Sequence, residues 1–178
     1  FLCSNNDNTI SNNYSSVSIG VATRARAVGS MAMGVSADAS GKYSIALGSG
    51  DVTGDYTAGT NYPKASGEKS IAIGHTTKSD GASSIAIGTS AVADSEKAIA
   101  IGDSAKGTNI DATALGRSSA ATAASATALG SLASATGTTA TAVGMQASAS
   151  GADSLAIGKT ASATSGRSLA VGTNAKAT

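Results

Sequence analysis

The chain has 178 residues and a formal net charge of +1, with 13% charged and 3% aromatic side chains. A compact globule of this length normally fills its core with large side chains, and this chain has too few of them. The low and balanced charge argues against a nucleic-acid binder, which requires a clustered basic face, and against simple disorder. Its single cysteine, Cys3, can form no disulfide within the chain. No apolar run approaches the ~20 residues of a membrane helix.

From residue 16 onward, a five-residue motif of the form small–apolar–small–apolar–Gly recurs eleven times. Successive motif glycines are 14 residues apart, except that 26 residues separate Gly48 from Gly74. One repeat therefore carries a 12-residue insertion, which the sequence places within residues 49–62. The motifs end at Gly20, Gly34, Gly48, Gly74, Gly88, Gly102, Gly116, Gly130, Gly144, Gly158 and Gly172.

A 14-residue repeat of alternating polarity is too short for a helical repeat and predicts an all-β parallel β-solenoid. Each coil would contain two short strands and two turns. The first strand is the motif itself, and the second lies three to six residues after each motif glycine. The predicted organisation is an N-terminal extension over 1–15 and eleven coils over 16–178.

Neighbouring residues of a strand point to opposite sides, so the alternation divides each strand between two faces. We expect the large aliphatic residues of the motif strands, such as Ile71 and Ile73, to face the coil interior. They would pack there against alanines of the second strands, such as Ala91 and Ala93. The alternate positions of the second strands are expected to face water: Arg24, Arg26, Lys78, Asp80, Asp94 and Lys106.

The remaining face of the motif strands carries only Ser or Ala. A solvated strand face normally collects some Lys, Glu or Thr, so a uniformly small stripe predicts close contact with another backbone surface. The alternative is a neutral exposed face. The predicted contact residues are Ala32, Ala46, Ala72, Ala86, Ala100, Ala114, Ala128, Ala142, Ala156 and Ala170.

Tandem repeats such as Ser70-Ile71-Ala72-Ile73-Gly74, which cover residues 16–178, resemble the YadA-like head of trimeric autotransporter adhesins. The resemblance implies a left-handed parallel β-roll, assembled as a homotrimer around the motif strands. It also implies a position on the bacterial surface, on a stalk and outer-membrane anchor that would lie outside this sequence. The implied partners are host collagen, fibronectin, laminin or cell-surface receptors, or sister heads in autoagglutination.

The insertion is the first candidate for ligand binding, because loops on a rigid scaffold often carry function and tyrosine is favoured at interfaces. The alternative is a tolerated surface insertion whose tyrosines cover a neighbouring coil or chain. The predicted ligand-binding residues are Tyr43, Asp55, Tyr56, Tyr62 and Lys64.

No catalytic, metal-binding or cofactor-binding constellation is predicted. His75 is the only histidine and has no partner motif. Asp51 and Asp55 lack the spacing of known calcium loops. Two further interpretations remain: a structural spacer without a ligand, and an ice-binding solenoid based on the threonine column Thr113, Thr127 and Thr141. The second is disfavoured because that single column is predicted to face the core.

Overall fold

The computed structural model describes residues 10–11, 14–51 and 61–178, and it is an all-β parallel β-solenoid of about eleven turns. The chain divides into two compact units, Phe1–Ala91 and Val92–Thr178.

The motif strands have three residues each: β2 (Val17–Ile19), β4 (Met31–Met33), β6 (Ile45–Leu47), β8 (Ile71–Ile73), β10 (Ile85–Ile87), β12 (Ile99–Ile101), β14 (Thr113–Leu115), β16 (Thr127–Leu129), β18 (Thr141–Val143), β20 (Leu155–Ile157) and β22 (Leu169–Val171). The second strands have two residues each: β1 (Ile10–Ser11), β3 (Arg24–Ala25), β5 (Asp38–Ala39), β7 (Lys64–Ala65), β9 (Lys78–Ser79), β11 (Val92–Ala93), β13 (Lys106–Gly107), β15 (Ala120–Ala121), β17 (Ser134–Ala135), β19 (Ser148–Ala149), β21 (Ser162–Ala163) and β23 (Lys176–Ala177).

Within each unit the motif strands form one parallel sheet and the second strands form the other. In the first unit Ile71 pairs with Ile85, and in the second Thr113 pairs with Thr127. Paired residues are therefore 14 positions apart, so equivalent positions of successive repeats lie next to each other. Pairing continues across the insertion, where Leu47 of β6 lies opposite Ile73 of β8. Both predicted strands of the repeat are thereby confirmed.

The second-strand sheet begins earlier than the motif count suggests. β1 pairs with β3, with Ile10 opposite Arg24 and Ser11 opposite Ala25. Strand pairing therefore extends into the stretch predicted to be an N-terminal extension, although no motif glycine precedes it.

The structure reverses the predicted faces of the motif strands. The alanines predicted to contact another chain lie inside the coil and are between 0 and 2% exposed: Ala32, Ala46, Ala72, Ala86, Ala100, Ala114, Ala128, Ala142, Ala156 and Ala170. The large aliphatic residues point outward instead, as do Thr113, Thr127 and Thr141. The predicted stripe of contact residues is therefore wrong.

The physical reason for this reversal is the thinness of the coil. Only four residues join β2 to β3 and five join β3 to β4, so the two sheets lie close together. Methyl and hydroxymethyl groups fill the space between them, and aliphatic side chains are too large to fit. The second strands follow the prediction, since Ala91 and Ala93 are fully buried.

Buried serines close the turns from inside the coil. The hydroxyl of Ser44 donates to the carbonyl of Gly41 at 2.7 Å, and Ser84 donates to Gly81 at the same distance. A hydroxyl that bonds a carbonyl three residues earlier stabilises a turn without a second side chain. Ser70 occupies the same position, but its buried hydroxyl has no partner among the described residues.

This difference predicts opposite effects for two otherwise identical substitutions. Ser44→Ala should lower the free energy of unfolding by about 1 kcal/mol, because it removes a buried hydrogen bond. Ser70→Ala should be neutral or stabilising, because it removes a buried polar group that has no partner. Urea unfolding of the two variants, followed by circular dichroism, measures both. Equal losses would show that the hydroxyls contribute nothing specific.

The motif glycines are required by the backbone. Gly130 has a φ of +135°, and a Cβ placed on it would lie 2.6 Å from the carbonyl oxygen of Gly144. Side chains rarely adopt this conformation, and no Cβ fits at that distance. The glycine therefore permits both the turn and the stacking of consecutive coils.

Candidate ligand-binding surface

The coil presents two different outward surfaces. The outward residues of the motif strands form an apolar face in each unit, defined by the first and third residue of each strand. Leu115 is 40% exposed, Leu129 41% and Leu169 62%. Soluble monomers rarely expose large contiguous apolar areas. The apolar face is therefore the surface that association with a partner would most favourably bury.

The opposite face, on the second strands of the first unit, is charged. Asp38 is nearly buried there, and its Oδ2 accepts a 2.7 Å hydrogen bond from Nη2 of Arg26. Nη2 of Arg24 lies 3.3 Å from the same oxygen. Oδ1 of Asp38 and Nε of Arg24 are buried and find no partner among the described residues. Two guanidinium groups thus share one buried carboxylate.

Tyr62 lies beside this ion cluster. The guanidinium carbon of Arg24 is 5.1 Å from the centre of the Tyr62 ring, within the range of a cation–π interaction. Arg24, Asp38 and Lys64 occupy consecutive positions of one ladder. The contact thus extends the ion cluster toward the next coil.

A second shared carboxylate lies two strands along. Lys64 and Lys78 contact the two oxygens of Asp80 at 3.3 and 3.0 Å, and the hydroxyl of Ser66 also donates to it. Burial opposes ionisation of Asp80, but the hydrogen bonds from Ser66 and Lys78 and the two ammonium charges outweigh it. The pKa of Asp80 is therefore lowered.

The lowered pKa predicts how Asp80→Asn changes stability with pH. A carboxylate with a lowered pKa stabilises the fold above its unfolded pKa of about 4, and this contribution disappears as pH falls through the folded pKa. The variant should lose about 0.5–1 kcal/mol at neutral pH, since the contacts are partly exposed. Urea titrations should show this difference vanish in acid. A difference that persists in acid would indicate disturbed packing instead.

A depression of about 260 Å³ lies on this charged face. Its lining combines an aromatic ring, two ammonium groups, an amide and two hydroxyl-bearing residues: Asn61, Tyr62, Lys64, Thr76, Thr77 and Lys78. Thr77 is fully buried, and its hydroxyl donates to the carbonyl of Gly74 at 2.9 Å. The depression thus combines hydrogen-bonding groups and positive charge with one aromatic ring.

The base of the insertion holds one wall of the depression. The backbone N–H of Asp51 donates to the carbonyl of Asn61 at 2.8 Å, and the Asn61 amide donates to Oδ2 of Asp51 at 3.0 Å. The hydroxyl of Ser36 donates to the Asp51 carbonyl at 2.6 Å. These bonds hold the two ends of the insertion together and fix the position of Asn61 in the wall of the depression.

The structure brings together two of the five residues predicted to bind ligand. Tyr62 and Lys64 line the depression. Tyr43 lies in another turn, where its ring approaches Gly29. Asp55 and Tyr56 lie outside the described residues. Their participation in binding stays a prediction.

Lys78 lines the depression but is not among the five residues predicted to bind ligand. The repeat could have identified Lys78 as a neighbour of Lys64, because the two residues are one 14-residue repeat apart and pair in register. Thr76 and Thr77 had no such signal, since threonine is common in the turns of this repeat.

Among the described residues, no group of three or more His, Cys, Asp and Glu could hold a metal ion. His75 is exposed. Within that same part of the chain, no helix has the length and apolarity needed to cross a membrane.

Comparison with known families gives matches over most of the chain. The matching family is described as "YadA head domain repeat (2 copies)", and it matches residues 25–50, 65–91, 79–105, 108–133, 135–161 and 163–178. A search of curated proteins found no match. The matched segments include most of the apolar face, Thr76, Thr77 and Lys78 of the depression, and the charged face except for Arg24 and Lys64.

Proposed function

This chain belongs to the family of YadA head domains, and we propose that it is the head of a trimeric autotransporter adhesin. In this proposal three left-handed β-rolls assemble as a homotrimer that attaches a bacterium to host surfaces. The head has a binding function and no enzymatic one. In this proposal a stalk and an outer-membrane anchor hold the head at the bacterial surface.

The observation that carries this proposal is the apolar face. Every motif strand places at least one large apolar residue outward, and most place two, for example Ile71 and Ile73 in the first unit. A buried aliphatic side chain contributes about 1.5–3 kcal/mol relative to an exposed one. Packing of three copies through this face would bury these side chains and supply the core that the coil interior, built of Ala and Ser, lacks.

The same arrangement leaves the other surface for partners. The second strands lie on the far side of the coil, so a trimer built on the apolar face keeps their charged residues accessible. Host extracellular-matrix proteins or cell-surface receptors are the partners we propose for that surface. Adhesion between sister heads, which produces autoagglutination, would use it as well.

Solid-phase binding tests the proposed attachment. The purified head should bind at least one member of a panel that contains collagens, fibronectin, laminin, receptor ectodomains and intact host cells. Head that has been heat-denatured before coating serves as the control. Absence of binding to the whole panel would contradict the adhesin proposal and favour a spacer that only raises another domain.

A further inference from the structure

Positive charge is concentrated on one part of the second-strand surface. The whole chain has a net charge of +1, whereas four cationic side chains here share two carboxylates and leave an excess of two positive charges. The six residues lie on, or directly after, four strands that are consecutive in one sheet: Arg24, Arg26, Asp38, Lys64, Lys78 and Asp80. Strands in a sheet are about 4.8 Å apart, so the charged strip is about three strand spacings long.

The depression around Tyr62 lies within this strip, and its lining includes groups that take no part in the ion pairs of the strip. Asn61 and Thr76 offer an amide and a hydroxyl at its rim, and Tyr62 offers a half-buried ring. Two ammonium groups, from Lys64 and Lys78, complete the lining. Hydrogen-bonding groups suit the hydroxyls of a sugar, the ring suits its apolar side, and the ammonium groups suit an acidic substituent.

We infer that this depression and the charged strip bind an acidic polysaccharide, with one acidic sugar held in the depression between Tyr62 and the two lysines. Arg24 and Arg26 provide the second positive cluster, which a chain with repeated negative charges would reach along the strip. The inference rests on the proposed function, since it names the class of host molecule that the head would recognise.

Two features limit where the acidic group can lie. Asp51 is exposed beside Asn61 and would repel an anion from the insertion side of the depression. Asp80 already neutralises part of the lysine charge. The acidic group is therefore expected on the lysine side, where removal of the Asp80 charge would strengthen binding.

The trimer would raise the affinity for a long polysaccharide further. Three depressions, one on each copy, would lie on outward surfaces away from the apolar face. Linked sites on one polymer act at high effective concentration and gain avidity without new contacts. Binding should accordingly be stronger for a polymer than for its isolated disaccharide.

The test is the binding of the intact head to immobilised heparin and to fully desulfated heparin, which keeps its carboxylates. Heparin should bind, and the affinity should fall steeply between about 0.1 M and 1 M salt, where the Debye length decreases from about 10 to 3 Å. Binding of only the sulfated polymer identifies sulfate as the recognised group. Binding of both identifies the carboxylate.

Two variants with opposite expected effects separate recognition from folding. Lys64→Gln with Lys78→Gln should weaken heparin binding by roughly tenfold or more, since contacts to charged groups are lost. Asp80→Asn should strengthen it severalfold, a gain that an unfolded protein would not produce. Lys106→Gln is the matched control, because Lys106 occupies the same column position but has the neutral neighbours Val92 and Ala120.

Three results would overturn the inference: no heparin binding at low salt, equal losses in the Lys106→Gln control and the double lysine variant, or equal affinity for duplex DNA. The last result would indicate a general polyanion surface. These failures leave the proposed function intact if the head still attaches to host cells. Conversely, a head that binds heparin as described but attaches to no host surface would contradict only the adhesin proposal.

Discussion

A head that carries Leu115→Glu and Leu129→Glu should sediment as a monomer at concentrations where we expect the wild-type head to sediment as a trimer. Both leucines lie on the apolar face, about 40% exposed, and pair in register on neighbouring strands. In the proposed trimer, each substitution places three carboxylates in an apolar interface. An unpaired buried charge is strongly disfavoured, so dissociation is expected. Sedimentation equilibrium measures the outcome.

The same two coils provide a matched control on their opposite surface. Ala120 and Ser134 are partly exposed and also pair in register, so Ala120→Glu with Ser134→Glu adds equal charge at an equal spacing. This variant should remain a trimer. A wild-type head that sediments as a monomer, or a control that dissociates as readily as the leucine variant, would contradict assembly through the apolar face.

Gly130→Ala should be among the most destabilising single substitutions in the chain. The φ of +135° strains any side chain by about 1–3 kcal/mol. The new methyl group would also lie 2.6 Å from the carbonyl oxygen of Gly144, and such overpacking typically adds about 1–3 kcal/mol. Backbone atoms cannot rotate away as a side chain can, so the neighbouring coil must shift. Thermal and urea unfolding should both show the loss.

Gly172→Ala isolates the two contributions. Gly172 has nearly the same conformation, with a φ of +119°, but nothing lies within 4 Å of a Cβ placed on it. Its substitution should cost only the conformational part. Equal losses for the two variants would show that contact between coils is not what the motif glycine protects.

The sequence was sufficient to predict the strands but not the direction in which they face. A period of two residues assigns Ile71 and Ala72 to opposite faces, yet the alternation is the same whichever face is inside. Hydrophobicity favours Ile71 in the interior. The observed orientation depends on the distance between the two sheets, which the short turns determine. The space between the sheets accommodates the methyl group of Ala72 but not the larger side chain of Ile71.

The candidate site shows a similar division. Tyr62 and Lys64 could be selected from composition, and the 14-residue spacing places Lys78 beside Lys64. The sharing of Asp38 by Arg24 and Arg26 could not be foreseen, because a register alone does not say which side chains turn toward each other. The hydrogen bonds at the base of the insertion likewise depend on where the chain leaves the coil and returns to it.

That insertion shows how tolerant the solenoid is to added chain. Leu47 still pairs with Ile73, and Asp38 with Lys64, as if no residues intervened. Hydrogen bonds between Asp51 and Asn61 hold the two ends of the insertion together beside the ladder. Foreign peptides grafted between these two residues should therefore leave the strand register unchanged, and the proposed trimer would display three copies of each peptide on one scaffold.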